Sequence, residues 1–322
     1  MINPADESIT ETFSDARAPF KKALGQDLLM VGLSYPVLFQ LAVEAGFEAI
    51  EMLAVAGRDE AEEIREAALR AGLKIHSVLT YDNWHYPLSS DDPNVVQKGV
   101  RALQGALENG RLWGADTLLL VPALVDARTS YREAYVRSQA VIRSELLPAA
   151  QELGIVLGIE NVWNEFLFSP VEYIRYIDEF ESPWVRAYLD VGNMIFGHPQ
   201  HWVRAVGSRI VKVHMKDFRL EVDRGRVSFG KIGEGDVDWA AVRAALLEVG
   251  FSGYITSTGI PRARLIRWMA RGLRFFDGRF PNKIAGVDEL FRALSAVRRR
   301  ADAWFLRDIS RRFDGFRDGK PA

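Results

Sequence analysis

Short apolar runs and stretches of helical spacing alternate along this chain. The runs Leu28–Ser34, Phe47–Leu53, Lys74–Thr80, Thr117–Pro122, Val156–Asn161, Val185–Asp190, Ile210–Asp217 and Gly253–Ser257 are mostly apolar throughout rather than alternating with polar residues. Strands covered on both faces read this way, as in a parallel sheet. Between them, Pro36–Gly46, Arg58–Gly72, Pro93–Gly114, Tyr131–Gly154, Pro170–Glu179, Pro199–Gly207 and Asp238–Gly250 carry the helix period. Several open on proline and close on glycine, the usual helix punctuation. Eight strands with helices between them predict an α/β fold, a (β/α)8 TIM barrel. A doubly wound open sheet fits less well. No glycine-rich phosphate loop follows the first run, and polar residues end many runs instead of lining one crevice.

The barrel gives those terminal polar residues a meaning, because side chains at its C-terminal rim share one mouth. Glu160 ends Val156-Leu-Gly-Ile-Glu160, Asp190 ends Arg186-Ala-Tyr-Leu-Asp190, and His214 ends Ile210-Val-Lys-Val-His214. Period-2 geometry puts Lys216 on the face of His214, with Asp217 leading out of the strand. One acid at a strand end is equally well explained as a cap on the following helix. Three such residues at matching positions in consecutive strands point instead to a shared site. Two carboxylates and an imidazole suit a hard divalent ion.

Composition narrows the class. The 322 residues, 48% hydrophobic, suffice for one large core, and we divide the chain into an N-terminal extension over 1–24 and a single barrel domain over 25–322. A net charge of −2 gives no electrostatic case for nucleic acid or an anionic membrane as partner. Cysteine is absent, which excludes disulfides, a thiolate metal site and a cysteine nucleophile. The first two dozen residues hold several acids and no apolar stretch of the kind a secretory signal needs, and no run reaches the ~18 apolar residues of a membrane span. The expectation is a cytoplasmic protein.

Four segments in order carry a family likeness: Glu160-Asn-Val-Trp-Asn164, Asp190-Val-Gly-Asn193, His214-Met-Lys-Asp217 and Gly233-Glu-Gly-Asp236. They resemble the signature segments of the xylose isomerase-like barrel superfamily, in its sugar-phosphate isomerase/epimerase branch of L-ribulose- or L-xylulose-5-phosphate 3-epimerase-like proteins. The likeness runs from about Val31 to Ser257 and resumes near Asp302, where Trp304 to Asp314 resembles the family's closing helix. It implies a divalent ion (Mn²⁺, Mg²⁺ or Co²⁺) held by Glu160, Asp190, His214 and a glutamate ending strand eight. It also implies a sugar or sugar phosphate as substrate, and a homodimer or homotetramer. A ketose proton α to a carbonyl is weakly acidic, so such a site must stabilise an enediolate; the ion does this as a Lewis acid while Glu160 serves as base. Epimerisation needs a second acid–base group on the opposite face, which the family's strand-eight glutamate supplies.

Thr258 stands where that glutamate is expected. A threonine hydroxyl is a poor ligand for a hard ion and no general base near neutral pH. Beyond it, residues 259–300 hold ten arginines, one lysine and three acids, an atypical Arg-rich insertion. Within it, 261–276 reads as a basic amphipathic helix, with Leu265, Trp268, Met269, Leu273 and Phe276 on one face.

Further candidates line the expected mouth. Trp84 and His85 follow strand three, and Trp163 offers a ring to stack on a sugar face, although each equally suits a covering or core role. Asn164, Asn193 and Asp217 are candidate substrate contacts, and Lys216 a candidate for a phosphate or a developing oxyanion. Glu165 and Glu234 are alternative acids, while His198 and His201 read as surface residues. Three function classes follow: an active metal-dependent sugar isomerase or epimerase, a homologue that binds sugar or metal without turnover, and a DNA-repair endonuclease of the same barrel. The last is disfavoured, because a trinuclear zinc site needs many histidines and this chain has five.

Overall fold

The computed structural model describes residues 19–28, 33–194, 197–221, 226–230, 232–258 and 306–319. Eight parallel strands close into a barrel: β1 (Lys21–Gly25), β2 (Ala49–Leu53), β3 (Lys74–Leu79), β4 (Thr117–Leu120), β5 (Val156–Glu160), β6 (Val185–Asp190), β7 (Ile210–Met215) and, last in sequence, β10 (Tyr254–Ser257). The order around the barrel is β1-β10-β7-β6-β5-β4-β3-β2. A short antiparallel ribbon, β8 (Asp217–Glu221) and β9 (Arg226–Gly230), leaves the rim directly after β7.

Helices wrap the outside: α1 (Tyr35–Glu44), α2 (Arg58–Ala71), α3 (Pro93–Trp113), α4 (Tyr131–Val141), α5 (Leu147–Leu153), α6 (Pro170–Asp178), α7 (Pro199–Val206) and α8 (Trp239–Glu248). Their starts follow local chemistry. Ser130 and Glu133, and again Ser169 and Glu172, form reciprocal capping boxes that satisfy first-turn N–H groups. The single helix expected over 131–154 holds together through a π turn, Ile142–Leu146, that joins α4 to α5. A core of Leu, Ile, Val and aromatic side chains fills the layer between strands and helices.

The first strand lies earlier than the hydrophobic pattern predicts. The expected run began at Leu28, but Leu28 ends a 3₁₀ turn, Gln26–Leu28, that follows β1. The segment Lys21-Lys-Ala-Leu-Gly25 pairs with both β2 and β10. Its signal was weak because Lys22 is buried, an arrangement tolerated only with partners. Lys22 Nζ donates to Ser310 Oγ at 2.6 Å and to Asp314 Oδ2 at 3.0 Å, both on a last helix, α9, over 306–317. The expected closing helix is therefore present, and it packs beside β1 with Leu306, Ile309, Phe313 and Phe316 in the core. The Arg-rich 259–300 stretch lies outside the described residues.

Candidate active site

Three rim residues converge. Glu160 at the end of β5, Asp190 at the end of β6 and His214 on β7 place one ligand atom each within 4.8 Å of one another. Register explains it: Glu160 pairs with Tyr188 and Asp190 with His214, so all lie on the inward side near the top. His214 Nδ1 lies 3.1 Å from Glu160 Oε1 and 3.6 Å from Asp190 Oδ2. Oxygen and nitrogen donors sharing an ion at ~2.1 Å in octahedral geometry stand ~3 Å apart along an edge, close to the two separations measured from His214 Nδ1, so the donor set suits a small divalent cation.

The other imidazole nitrogen is equally well held. His214 Nε2 lies 2.8 Å from Glu51 Oε1, and Ser77 Oγ donates to Glu51 Oε2 at 2.8 Å, which also accepts from the Tyr188 hydroxyl. A carboxylate behind a ligating histidine fixes the ring and the tautomer, leaving the opposite nitrogen for a metal. Glu51 was missed by sequence reading. Its signal is a lone acid inside the apolar run Ala49-Ile-Glu-Met-Leu53, at an inward position of a barrel strand.

Electrostatics follow from burial and proximity. Burial alone would lower the His214 imidazolium, but the Glu51 charge and hydrogen bonds to Asp190, Glu160 and Glu51 raise it well above its ordinary value. Burial would raise Glu51; the His214 charge and three hydrogen bonds outweigh it and hold the group low. Burial likewise opposes ionisation of Asp190, yet Lys216 and His214 hold that carboxyl below its usual range. Glu160 behaves differently. Burial pushes its carboxyl up, and the Asp190 charge adds to this against the opposing pull of His214 and Lys216.

Lys216 reaches back over the site. Its Nζ lies 2.7 Å from Asp190 Oδ2 and 3.3 Å from Asn193 Oδ1. Asp190 Oδ1 accepts from the Gly192 and Asn193 N–H groups at 2.8 and 3.0 Å, so the loop after β6 is itself built on this carboxylate. Asn161, also absent from the sequence expectations, pins β5 to β6: its amide accepts from Asp190 N and donates to Asp190 O, each at 2.8 Å.

The remaining expected residues divide. Trp163 is 46% exposed, donates from Nε1 to Asn193 O at 2.9 Å and rests against Phe229 of β9, with ring centroids 5.0 Å apart. It stands at the mouth. Asn164 is buried, its Nδ2 donating to Ala123 O at 2.7 Å, which ties the β4 and β5 exits together. Trp84 and His85 are exposed on and after the turn Tyr81–Trp84 that follows β3. Asp217 is fully buried and accepts from Phe218 N, Gly233 N, Gly235 N, Val237 N and Trp239 Nε1 at 2.7–3.4 Å. Its carboxylate organises the loop before α8. Thr258 donates from Oγ1 to Asp27 Oδ2 at 3.0 Å, beside β10.

Comparison with known proteins bears on the fold. L-ribulose-5-phosphate 3-epimerase UlaE of Escherichia coli O1:K1 is 26% identical over 229 residues, covering 66% of this chain and 78% of that one. The structure of an L-ribulose 3-epimerase superposes with a TM-score of 0.64 at 19% identity, covering 89% of this chain and 97% of the other. That of D-allulose 3-epimerase from Methylomonas sp. gives 0.61 at 22% identity over 75% and 84%. Among the described residues, no helix is long and apolar enough to cross a membrane. A family profile described as xylose isomerase-like TIM barrel matches residues 39–277, and the chain belongs to that family.

Proposed function

We propose that this protein interconverts ketoses or ketose phosphates through an enediolate, with a divalent ion held by Glu160, Asp190 and His214 and with Glu160 as base. One observation carries the assignment. Of the carboxylates around His214, Asp190 is 0% and Glu51 1% exposed, whereas Glu160 retains 8% and has a raised proton affinity. A base must be reachable by its substrate and hold a proton better than an ordinary carboxylate, and of these three groups Glu160 is the most exposed and the one whose carboxyl is raised.

The ion, when bound, would supply Lewis-acid stabilisation of the substrate oxygens. The chain's own groups do the rest. Glu51 fixes the His214 ring; Asp190 and Asn193 position the Lys216 ammonium, which faces negative charge developing on the substrate. Trp163 offers a half-exposed ring for the sugar. The relatives compared above are named as sugar epimerases, which supports this substrate class.

The test is solvent exchange. With Mn²⁺ added, the protein should incorporate deuterium from D₂O into a ketose at the carbon next to the carbonyl, and Glu160→Gln should abolish it. Absence of exchange across a panel of ketoses and their 5- and 6-phosphates would refute the reading. A second reading, binding without turnover, draws on Thr258, whose hydroxyl is engaged by Asp27 and offers no acid–base group. Tight sugar binding with no exchange would favour it.

A further inference from the structure

Resting on the reading above, we propose that Asp27, delivered by β1, supplies the second acid–base carboxylate that β10 lacks. Asp27 follows β1 in the turn Gln26–Leu28, and its Oδ2 accepts from Thr258 Oγ1 at 3.0 Å. The carboxylate therefore lies against the residue that would otherwise carry the missing acid.

Its direction follows from Gly25. Gly25 is in register with Glu51, whose side chain points into the barrel to meet His214. Neighbours in register on parallel strands project to the same side, so a side chain at residue 25 would also point inward. A Cβ built on Gly25 would stand 2.3 Å from Asp27 Oδ1. The Asp27 carboxylate thus fills the inward space that glycine leaves open.

Opposition to Glu160 comes from topology. In the order β1-β10-β7-β6-β5, the strand bearing Glu160 is four steps from β1, half of an eight-stranded circuit. Carboxylates on opposite walls address opposite faces of a planar intermediate held between them. Glu160 takes the proton from the carbon next to the carbonyl, and that C–H electron pair moves onto the carbonyl oxygen as the enediolate forms. Asp27, as the acid, then gives its proton to the other face while the electron pair returns to form the new C–H bond and the carbonyl. Glu160 ends protonated and Asp27 ionised; exchange with solvent, or the reverse reaction, restores both.

The experiment uses the full chain with Mn²⁺ in D₂O, with L-ribulose 5-phosphate and D-fructose as probes. Asp27→Asn should keep Glu160-dependent deuterium exchange yet lower epimer formation at least ~100-fold, the scale of one acid–base group. It should also weaken Mn²⁺ binding measured by calorimetry ~10-fold, as loss of a neighbouring carboxylate does. Adding Thr258→Glu to Asp27→Asn should restore both. Unchanged epimerisation and Mn²⁺ affinity in Asp27→Asn would overturn the assignment, as would joint loss of exchange and epimerisation that Thr258→Glu does not repair. Were the wild type to exchange nothing, the proposed function itself would fall. The Mn²⁺ comparison would still decide Asp27, with equal affinities counting against it.

Discussion

His214 Nε2 and Glu51 Oε1 meet at 2.8 Å inside the barrel, joining β7 to β2 behind the three-residue rim cluster. The contact fixes the imidazole before any ion arrives. Glu51→Gln keeps the shape but removes the charge that orients and polarises the ring. Divalent-ion affinity should fall ~10–100-fold, and the metal-free protein should melt lower, because the buried imidazolium loses its charged partner. Calorimetric titration with Mn²⁺ beside a melting curve separates the two quantities; equal affinity would show the contact to be only packing.

Protonation of the same pair sets a pH window for the chelator-treated protein. His214 is raised in the fold, so its contribution is complete below the unfolded value of about 6.5 and is lost as pH climbs through the raised one. Glu51 is lowered, so its contribution is complete above about 4.5 and is lost as pH falls through its folded value. Between these limits the metal-free protein should be most stable with respect to this pair. Binding an ion displaces any proton held at the His214 nitrogen it takes, and the raised imidazolium favours such a proton, so titrations in buffers of different ionisation enthalpy should report proton release. No buffer dependence would contradict the assigned charge state.

Lys216 and a cation compete for one oxygen, Asp190 Oδ2. Lys216→Met should therefore tighten Mn²⁺ binding while lowering kcat ~100-fold or more through loss of the group facing the developing charge. Affinity and turnover moving together would contradict this geometry.

Asp217 gathers four backbone N–H groups and the Trp239 indole N–H on a fully buried carboxylate. Asp217→Ala strands those donors and should cost about 3 kcal/mol or more, read as a lowered urea midpoint. Limited proteolysis should then cut within 232–239. Gly235→Ala should act the same way, since its new Cβ would meet Asp217 Oδ1 at 2.1 Å.

Trp163 stands exposed beside Phe229 at the mouth. Trp163→Ala should raise KM about tenfold and change kcat little, as expected for a stacking contact worth about 1.4 kcal/mol. A fall in kcat with constant KM would move Trp163 from binding to chemistry.

The barrel was legible because apolar runs alternate with helix-period stretches that open on proline and close on glycine. Glu160, Asp190 and His214 were legible because each ends such a run. Glu51 was hidden by its place within a strand, where a charged residue is read as part of the pattern instead of as a break in it. Lys22 hid β1 for the same reason: its partners Ser310 and Asp314 lie near the other end of the chain, and sequence reading weighs neighbours. Asp217 looked like a substrate contact because it leads out of β7. The β8–β9 ribbon beyond it was not foreseen, nor was the ring of N–H groups that the ribbon and the following loop bring to it.

The Lys22 clasp also orders events during synthesis. Its ammonium is housed by residues 288 and 292 positions further along the chain. Burying it unpaired costs several kcal/mol, so β1 gains its full worth as a barrel stave only after α9 has been made. Before then, closing the seam between β1 and β10 would bury that ammonium without Ser310 and Asp314. Ring closure thus becomes a late, whole-chain event.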